Sequence, residues 1–100
     1  MITEIKEIYK KYNELNNKEI IVNGWVKTSR DMKTFGFIEL NDGTFFKNLQ
    51  VFYEDKISNF EEITKISISS SIEVTGTLVV TPDAKQPFEL RASKINILGV

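Results

Sequence analysis

The sequence contains no cysteine and no histidine. Without thiols there can be no disulfide framework and no thiolate metal site. Without imidazole the usual zinc, copper and non-haem iron sites, and the commonest general base, are missing as well. Long apolar runs are also lacking, since no stretch approaches the ~18 residues that a membrane span requires. The opening Met1-Ile2-Thr3-Glu4-Ile5-Lys6 carries neither the apolar block of a secretory signal nor the arginine-rich pattern of a transit peptide. Neither charge sign dominates: the formal net charge is −1. The surface as a whole therefore does not attract polyanions, and any nucleic-acid binding has to use a local basic patch with modest salt dependence. These absences predict a cytoplasmic domain with no membrane association, no metal and no cofactor of its own, and no catalytic constellation. What is present is ordinary soluble protein, 41% hydrophobic and 27% charged, in a chain of 100 residues that suits one core.

The most informative stretch runs from Phe35 to Gly43 and is followed by Leu49 to Tyr53. Both runs alternate with period two and are separated by Asn41-Asp42-Gly43, which predicts two neighbouring strands joined by a turn. If Ile38, Leu40, Leu49, Val51 and Tyr53 point into a core, then Phe37, Glu39, Gln50 and Phe52 point outward. Two readings remain open at this point. The rings are covered by a helix or another domain, or they form a face for flat ligands with polar edges, of which nucleobases are the commonest.

Along the rest of the chain, residues 3–16 predict a helix. Ile5, Ile8, Tyr9, Tyr12 and Leu15 form its apolar stripe, Thr3 is its N-cap, and Asn16-Asn17 ends it. Residues 19–30 predict a long strand in which Gly24 marks a bend or bulge, with Trp25 facing away from the core, against the first helix. Lys27, Arg30, Asp31 and Lys33 cluster at its end, a pattern that by itself is better explained by a solvated turn. Residues 55–66 predict a short helix, with Ser58-Asn59-Phe60-Glu61 at capping-box spacing. A fourth strand spans 71–80, and a loop from Thr81 to Pro87 is bracketed by two prolines. The last strand covers 88–98, with Phe88, Leu90 and Ala92 inward and Glu89, Arg91 and Ser93 outward. The carboxylates Glu39, Glu73 and Glu89 lie on strands without suggesting a metal pair.

A helix, three strands, a short helix and two strands, with bends in the first and fourth strands, is the layout of the OB-fold, a five-stranded Greek-key barrel. The division expected is a helix over residues 1–17 packed on a barrel formed by 18–100. Such barrels bind oligonucleotides or oligosaccharides across strands 2 and 3, between the 1–2 and 4–5 loops. Phe37, Gln50 and Phe52 fall on that face, Arg30 and Lys33 in one loop, and Lys85 in the other. Fold alone does not fix function, so a general single-strand binder and a protein-interaction module stay as alternatives.

The runs Val22-Asn23-Gly24-Trp25-Val26, Arg30-Asp31, Phe37-Ile38-Glu39-Leu40-Asn41-Asp42-Gly43, Leu49-Gln50-Val51, Val74-Thr75-Gly76 and Gln86-Pro87-Phe88-Glu89-Leu90 resemble, in order, the N-terminal anticodon-binding domain of asparaginyl-tRNA synthetases. The resemblance extends from about Lys18 to Gly99. It is closer to the asparaginyl than to the aspartyl or lysyl branch of these class IIb enzymes, because Thr28-Ser29 stand where the aspartyl branch carries additional arginine. It implies that Phe37 stacks on the central uridine of an anticodon, that Gln50 pairs with the uracil edge, and that Phe52 supports the stack. Arg30 is implied as a holder of a base oxygen or phosphate, and Glu89 as a contact of the first anticodon base. Lys27, Lys33, Lys85 and Arg91 are candidates for accessory RNA contacts. No residue is singled out for the third base, for which the loop from Pro82 to Gln86 is the expected reader. The resemblance also implies a longer, homodimeric parent that uses ATP and Mg²⁺ to attach asparagine to tRNA, of which this segment is the non-catalytic part.

Overall fold

The computed structural model describes residues 2–99. The elements run α1 (Ile5–Leu15), β1 (Glu19–Asp31), β2 (Phe35–Asn41), β3 (Leu49–Glu54), α2 (Phe60–Thr64), β4 (Ser71–Val80) and β5 (Phe88–Gly99). The strands close into a barrel in the order β1-β2-β3-β5-β4, with β4 returning to β1. All pairs are antiparallel except β3 with β5, which meet in parallel at Val51–Leu90 and Phe52–Arg91. This is the five-stranded Greek-key OB barrel that the element order predicts.

Strict alternation builds the site's platform. On β2 Ile38 and Leu40, and on β3 Leu49, Val51 and Tyr53, are fully buried. They join Val22, Val26, Ile72, Val74, Leu78, Leu90 and Ile95 in one core. Each such side chain contributes about 1.5–3 kcal/mol through removal from water. A one-residue slip in either strand would expose this set, so the register is firmly held. That register sets Phe37 opposite Phe52 and Glu39 opposite Gln50, all on the outer face.

Of the two expected irregularities, the one in β1 is present but displaced, and the other falls on the partner strand. The β1 shift lies between Val26 and Thr28, leaving Lys27 as the extra residue, whereas the β4–β5 shift at Thr75–Gly76 leaves Ser93 of β5 unpaired, so the irregularity there belongs to β5 and not to β4. Gly24 serves a close approach instead, since a Cβ there would come within 2.5 Å of the Asn41 carbonyl oxygen. Trp25 does face outward, and the neighbour its ring meets is Gly43.

Two helix expectations need correction. Helix α1 begins at Ile5 and its N-cap position is Glu4, one residue later than expected, while the Thr3 N–H donates to the Ile21 carbonyl at 2.7 Å beside β1. The cap comes from 37 residues away: the Ile5 N–H donates to Asp42 Oδ2 at 2.9 Å, and the Lys6 N–H to Thr44 Oγ1 at 3.0 Å. A carboxylate at that end also complements the helix dipole. Helix α2 is only five residues long, not the span 55–66, and the capping box is not formed. Asn59 occupies the N-cap position without a side-chain cap bond, and its amide nitrogen donates to the Ile95 carbonyl at 2.8 Å. Burial of Ile57 and Ile63 holds this segment to the barrel without further turns.

Candidate nucleic-acid interface

The outer face of β2 and β3 carries three half-buried rings. Phe37 and Phe52 lie directly across the strand pair with centroids 5.5 Å apart, and Phe35 stands 5.8 Å from each. Phe35 shares the parity of Phe37, so the same alternation that marks the other two rings also marks this one. Strand β1 brings Arg30 opposite Phe37, and its guanidinium carbon lies 5.3 Å from that ring's centroid. This is cation–π range, where a planar cation and a ring share one stack.

Polar groups flank the rings. The Thr28 hydroxyl donates to Glu39 Oε2 at 2.9 Å, fixing the carboxylate beside Gln50. The Gln50 amide nitrogen lies 3.5 Å from Glu89 Oε1, while Arg91 Nε donates to Glu89 Oε2 at 2.9 Å. Arg91 thus holds the mostly buried Glu89 carboxylate, which in turn faces the Gln50 amide. The 4–5 loop contributes Lys85 and Gln86 to a cleft of about 440 Å³ whose remaining walls are Thr28, Arg30, Phe37, Glu39 and Gln50.

The structure therefore brings Arg30, Phe37, Gln50 and Lys85 into one concavity. Phe52 supports it from behind Phe37, and Glu89 lies at its edge through Gln50. Lys27 sits exposed at the β1 bulge and Lys33 in the β1–β2 turn, and neither lines the cleft. Thr28 and Gln86 are additions that strand parity alone did not single out, and Glu39 acquires a place it lacked. A neighbouring recess of about 330 Å³ shares Glu39, Lys85 and Gln86 and continues to Tyr9, Phe46 and Lys47. Burial, and secondarily the Glu39 carboxylate, raise the Tyr9 phenol above its ordinary pKa. Among the described residues no three His, Cys, Asp or Glu side chains gather as a metal site, and no helix is long and apolar enough to cross a membrane.

Flat π faces, an amide that offers donor and acceptor side by side, and two free cations suit a splayed nucleobase with its phosphate. The chain is 56% identical over 96 residues to an asparagine–tRNA ligase of Clostridium botulinum strain Eklund 17B, covering 96% of this chain and 21% of that protein. It is 57% identical over 98 residues to the asparagine–tRNA ligase of Acetivibrio thermocellus, covering 97% of this chain and 21% of the relative. The chain thus spans about a fifth of the length of the curated relatives it matches. Asparaginyl-tRNA synthetase from Pyrococcus horikoshii, complexed with asparaginyl-adenylate, superposes with a TM-score of 0.83 at 23% identity, over 98% of this chain and 22% of that one. An OBody bound to hen egg-white lysozyme has the same fold, with a TM-score of 0.74 at 22% identity over 86% of each chain. Residues 20–98 match the tRNA anti-codon family, described as an OB-fold nucleic acid binding domain, and the chain belongs to that family.

Proposed function

We propose that this chain is the anticodon-binding domain of an asparagine–tRNA ligase and that it holds the anticodon loop of the asparagine tRNA by stacking and edge hydrogen bonds. The observation that carries the reading is the meeting of Phe37, Gln50 and Arg30 in one cleft, although they come from three different strands. Relatives named asparagine–tRNA ligase, at 56–57% identity over nearly the whole chain, support the same branch.

In this reading the central uracil stacks on Phe37, with Phe52 and Phe35 behind it. The Gln50 amide matches the uracil edge, one donor and one acceptor against one acceptor and one donor. Arg30 slides from the ring to a base oxygen or phosphate. Glu89 accepts from the N1–H and amino group of a guanine at the first position, and Arg91 holds it in place. Lys85 and Gln86 meet the remaining nucleotide, while Lys27 and Lys33 supply only diffuse attraction. The domain performs no bond making. The parent enzyme, read as a cytoplasmic homodimer, activates asparagine with ATP and Mg²⁺ and transfers it to the tRNA. With stacking contributing roughly 1–3 kcal/mol per base, three bases predict weak, micromolar-class binding by the isolated domain.

The test is fluorescence anisotropy with labelled stem-loops bearing GUU, GUC or a central U→C change, with and without Gln50→Ala. The reading requires that GUU bind best, that the central change cost about 1–3 kcal/mol, and that Gln50→Ala erase that preference. Equal binding of all three would make the domain a general single-strand binder. No binding would leave the rings as a protein-contact face.

A further inference from the structure

We propose that Phe46 and Lys47 form a second base-stacking subsite, which takes one further nucleotide of the same RNA strand beyond the Gln50 cleft. The inference rests on the reading of the chain as an RNA binder and assigns a role to a loop that the β2–β3 face leaves out.

Phe46 is 81% exposed, the most exposed of the large apolar side chains. A single exposed ring is unremarkable on a protein surface; the way this one is mounted is what makes it a candidate. Its ring packs at a tilt against Phe45 with centroids 4.6 Å apart, Phe45 packs at a tilt against Tyr9 at 4.7 Å, and Tyr9 meets Phe88 edge-on at 4.8 Å. Phe88 is 1% exposed, so a ladder of four rings runs from the core to solvent and ends at Phe46. The loop beneath is braced as well. The Tyr9 hydroxyl donates to the Asn48 carbonyl at 2.6 Å, and the Asn41 amide donates to Asn48 Oδ1 at 2.8 Å. The loop backbone beside the ring is thus fixed at Asn48, so a flat ligand landing on Phe46 orders little beyond that side chain.

Charge and position supply the rest. Lys47 Nζ lies 5.7 Å from the Phe46 centroid, and Lys85 lines the same recess. A base on Phe46 would thus bring its phosphate between two ammonium groups. Glu39, Lys85 and Gln86 wall both this recess and the Gln50 cleft, so one strand can pass from one to the other without leaving the surface.

The experiment places 2-aminopurine at each position of a GUU stem-loop in turn and titrates the chain at low salt. Wild type should quench one position outside those that depend on Phe37. Phe46→Ala should abolish that quench and weaken binding roughly tenfold. It should leave the central U-over-C preference intact. Phe46→Trp should restore both, and Lys47→Gln should lower the slope of log affinity against log salt by about one. Circular dichroism of each variant checks the fold. If folded Phe46→Ala binds and quenches as wild type does, the subsite is refuted and the ring belongs to a protein contact. If wild type itself shows no preference that Gln50→Ala removes, the anticodon reading fails. In that case a quench still lost in Phe46→Ala upholds the stacking subsite alone.

Discussion

Arg30 lies across the face of Phe37, neighbours through the β1–β2 register, with the guanidinium carbon 5.3 Å from the ring centroid. The unliganded domain thus covers its own stacking surface with a cation. An arriving base either displaces Arg30 or slides beneath it, and Arg30 contributes once as a ring cover and again as a phosphate or base contact.

The two residues should separate in salt titrations. Phe37→Ala is expected to weaken stem-loop binding by about 1–3 kcal/mol with an unchanged salt slope, because stacking releases no counterions. Arg30→Ala should reduce the slope by about one and weaken binding less at high salt than at low. Identical slopes for both variants would remove Arg30 from the set of phosphate contacts.

Arg91 offers a different handle. Its ion pair with Glu89, at 2.9 Å, is partly exposed and contributes little to stability on its own. Its effect should appear in recognition, because Glu89 faces both Arg91 and the Gln50 amide. Arg91→Met is expected to leave the melting temperature within a few degrees of wild type while relaxing the preference for G at the first anticodon position. Binding of a series with G, A and C at that position measures it, and an undiminished G preference would count against the relay.

The distant cap on α1 predicts an asymmetric pair of stability effects. Asp42→Ala removes the acceptor of the Ile5 N–H and also the Thr44 hydroxyl's partner, so chemical denaturation should show a loss of about 1–2 kcal/mol. Thr3→Ala should cost almost nothing, since only the backbone of Thr3 is bonded. Equal losses in the two would contradict the capping geometry.

Tyr53 predicts a pH dependence. Burial, then the Asp31 charge, raise its phenol above the ordinary value of 10.0. The folded chain therefore retains this proton where the unfolded chain has begun to release it. The stability that results is complete below pH 10 and declines as pH rises from there through the folded-state value. Denaturation midpoints between pH 9 and 11.5 should fall, and the fall should be shallower in Tyr53→Phe. Tyr9 shifts in the same direction and accounts for part of the remainder.

Much of the barrel was legible because inward and outward positions alternate without interruption from Phe35 to Asn41 and from Leu49 to Glu54. The same alternation exposed Phe37, Gln50 and Phe52, and it marked Phe35 no less clearly. Features settled by distant partners were not legible. The local pattern around Thr3 describes a good cap, but Asp42 arrives from another strand pair and occupies the place. Ser58 to Glu61 has the spacing of a capping box, yet the helix has no side-chain cap and runs for only five residues, and the Asn59 amide bonds β5 instead. The expected layout brought Lys85 and the loop to Gln86 near the site, but nothing in Thr81 to Pro87 shows which of its side chains turn toward Gln50.

Helix α1 is tied to the barrel at both ends: Ile5 to Asp42 at its start, then Asn16 Oδ1 to the Val80 N–H at 3.0 Å and the Asn17 N–H to the Leu78 carbonyl at 2.7 Å. Every one of these ties joins residues far apart in the chain, so the helix has nowhere to dock until β2 and β4 are already in place. We therefore expect its completion on the late side of the folding barrier, to be measured as folding and unfolding rates of helix variants. Substitutions in the helix should therefore act mainly by speeding unfolding, leaving the rate of barrel closure nearly unchanged.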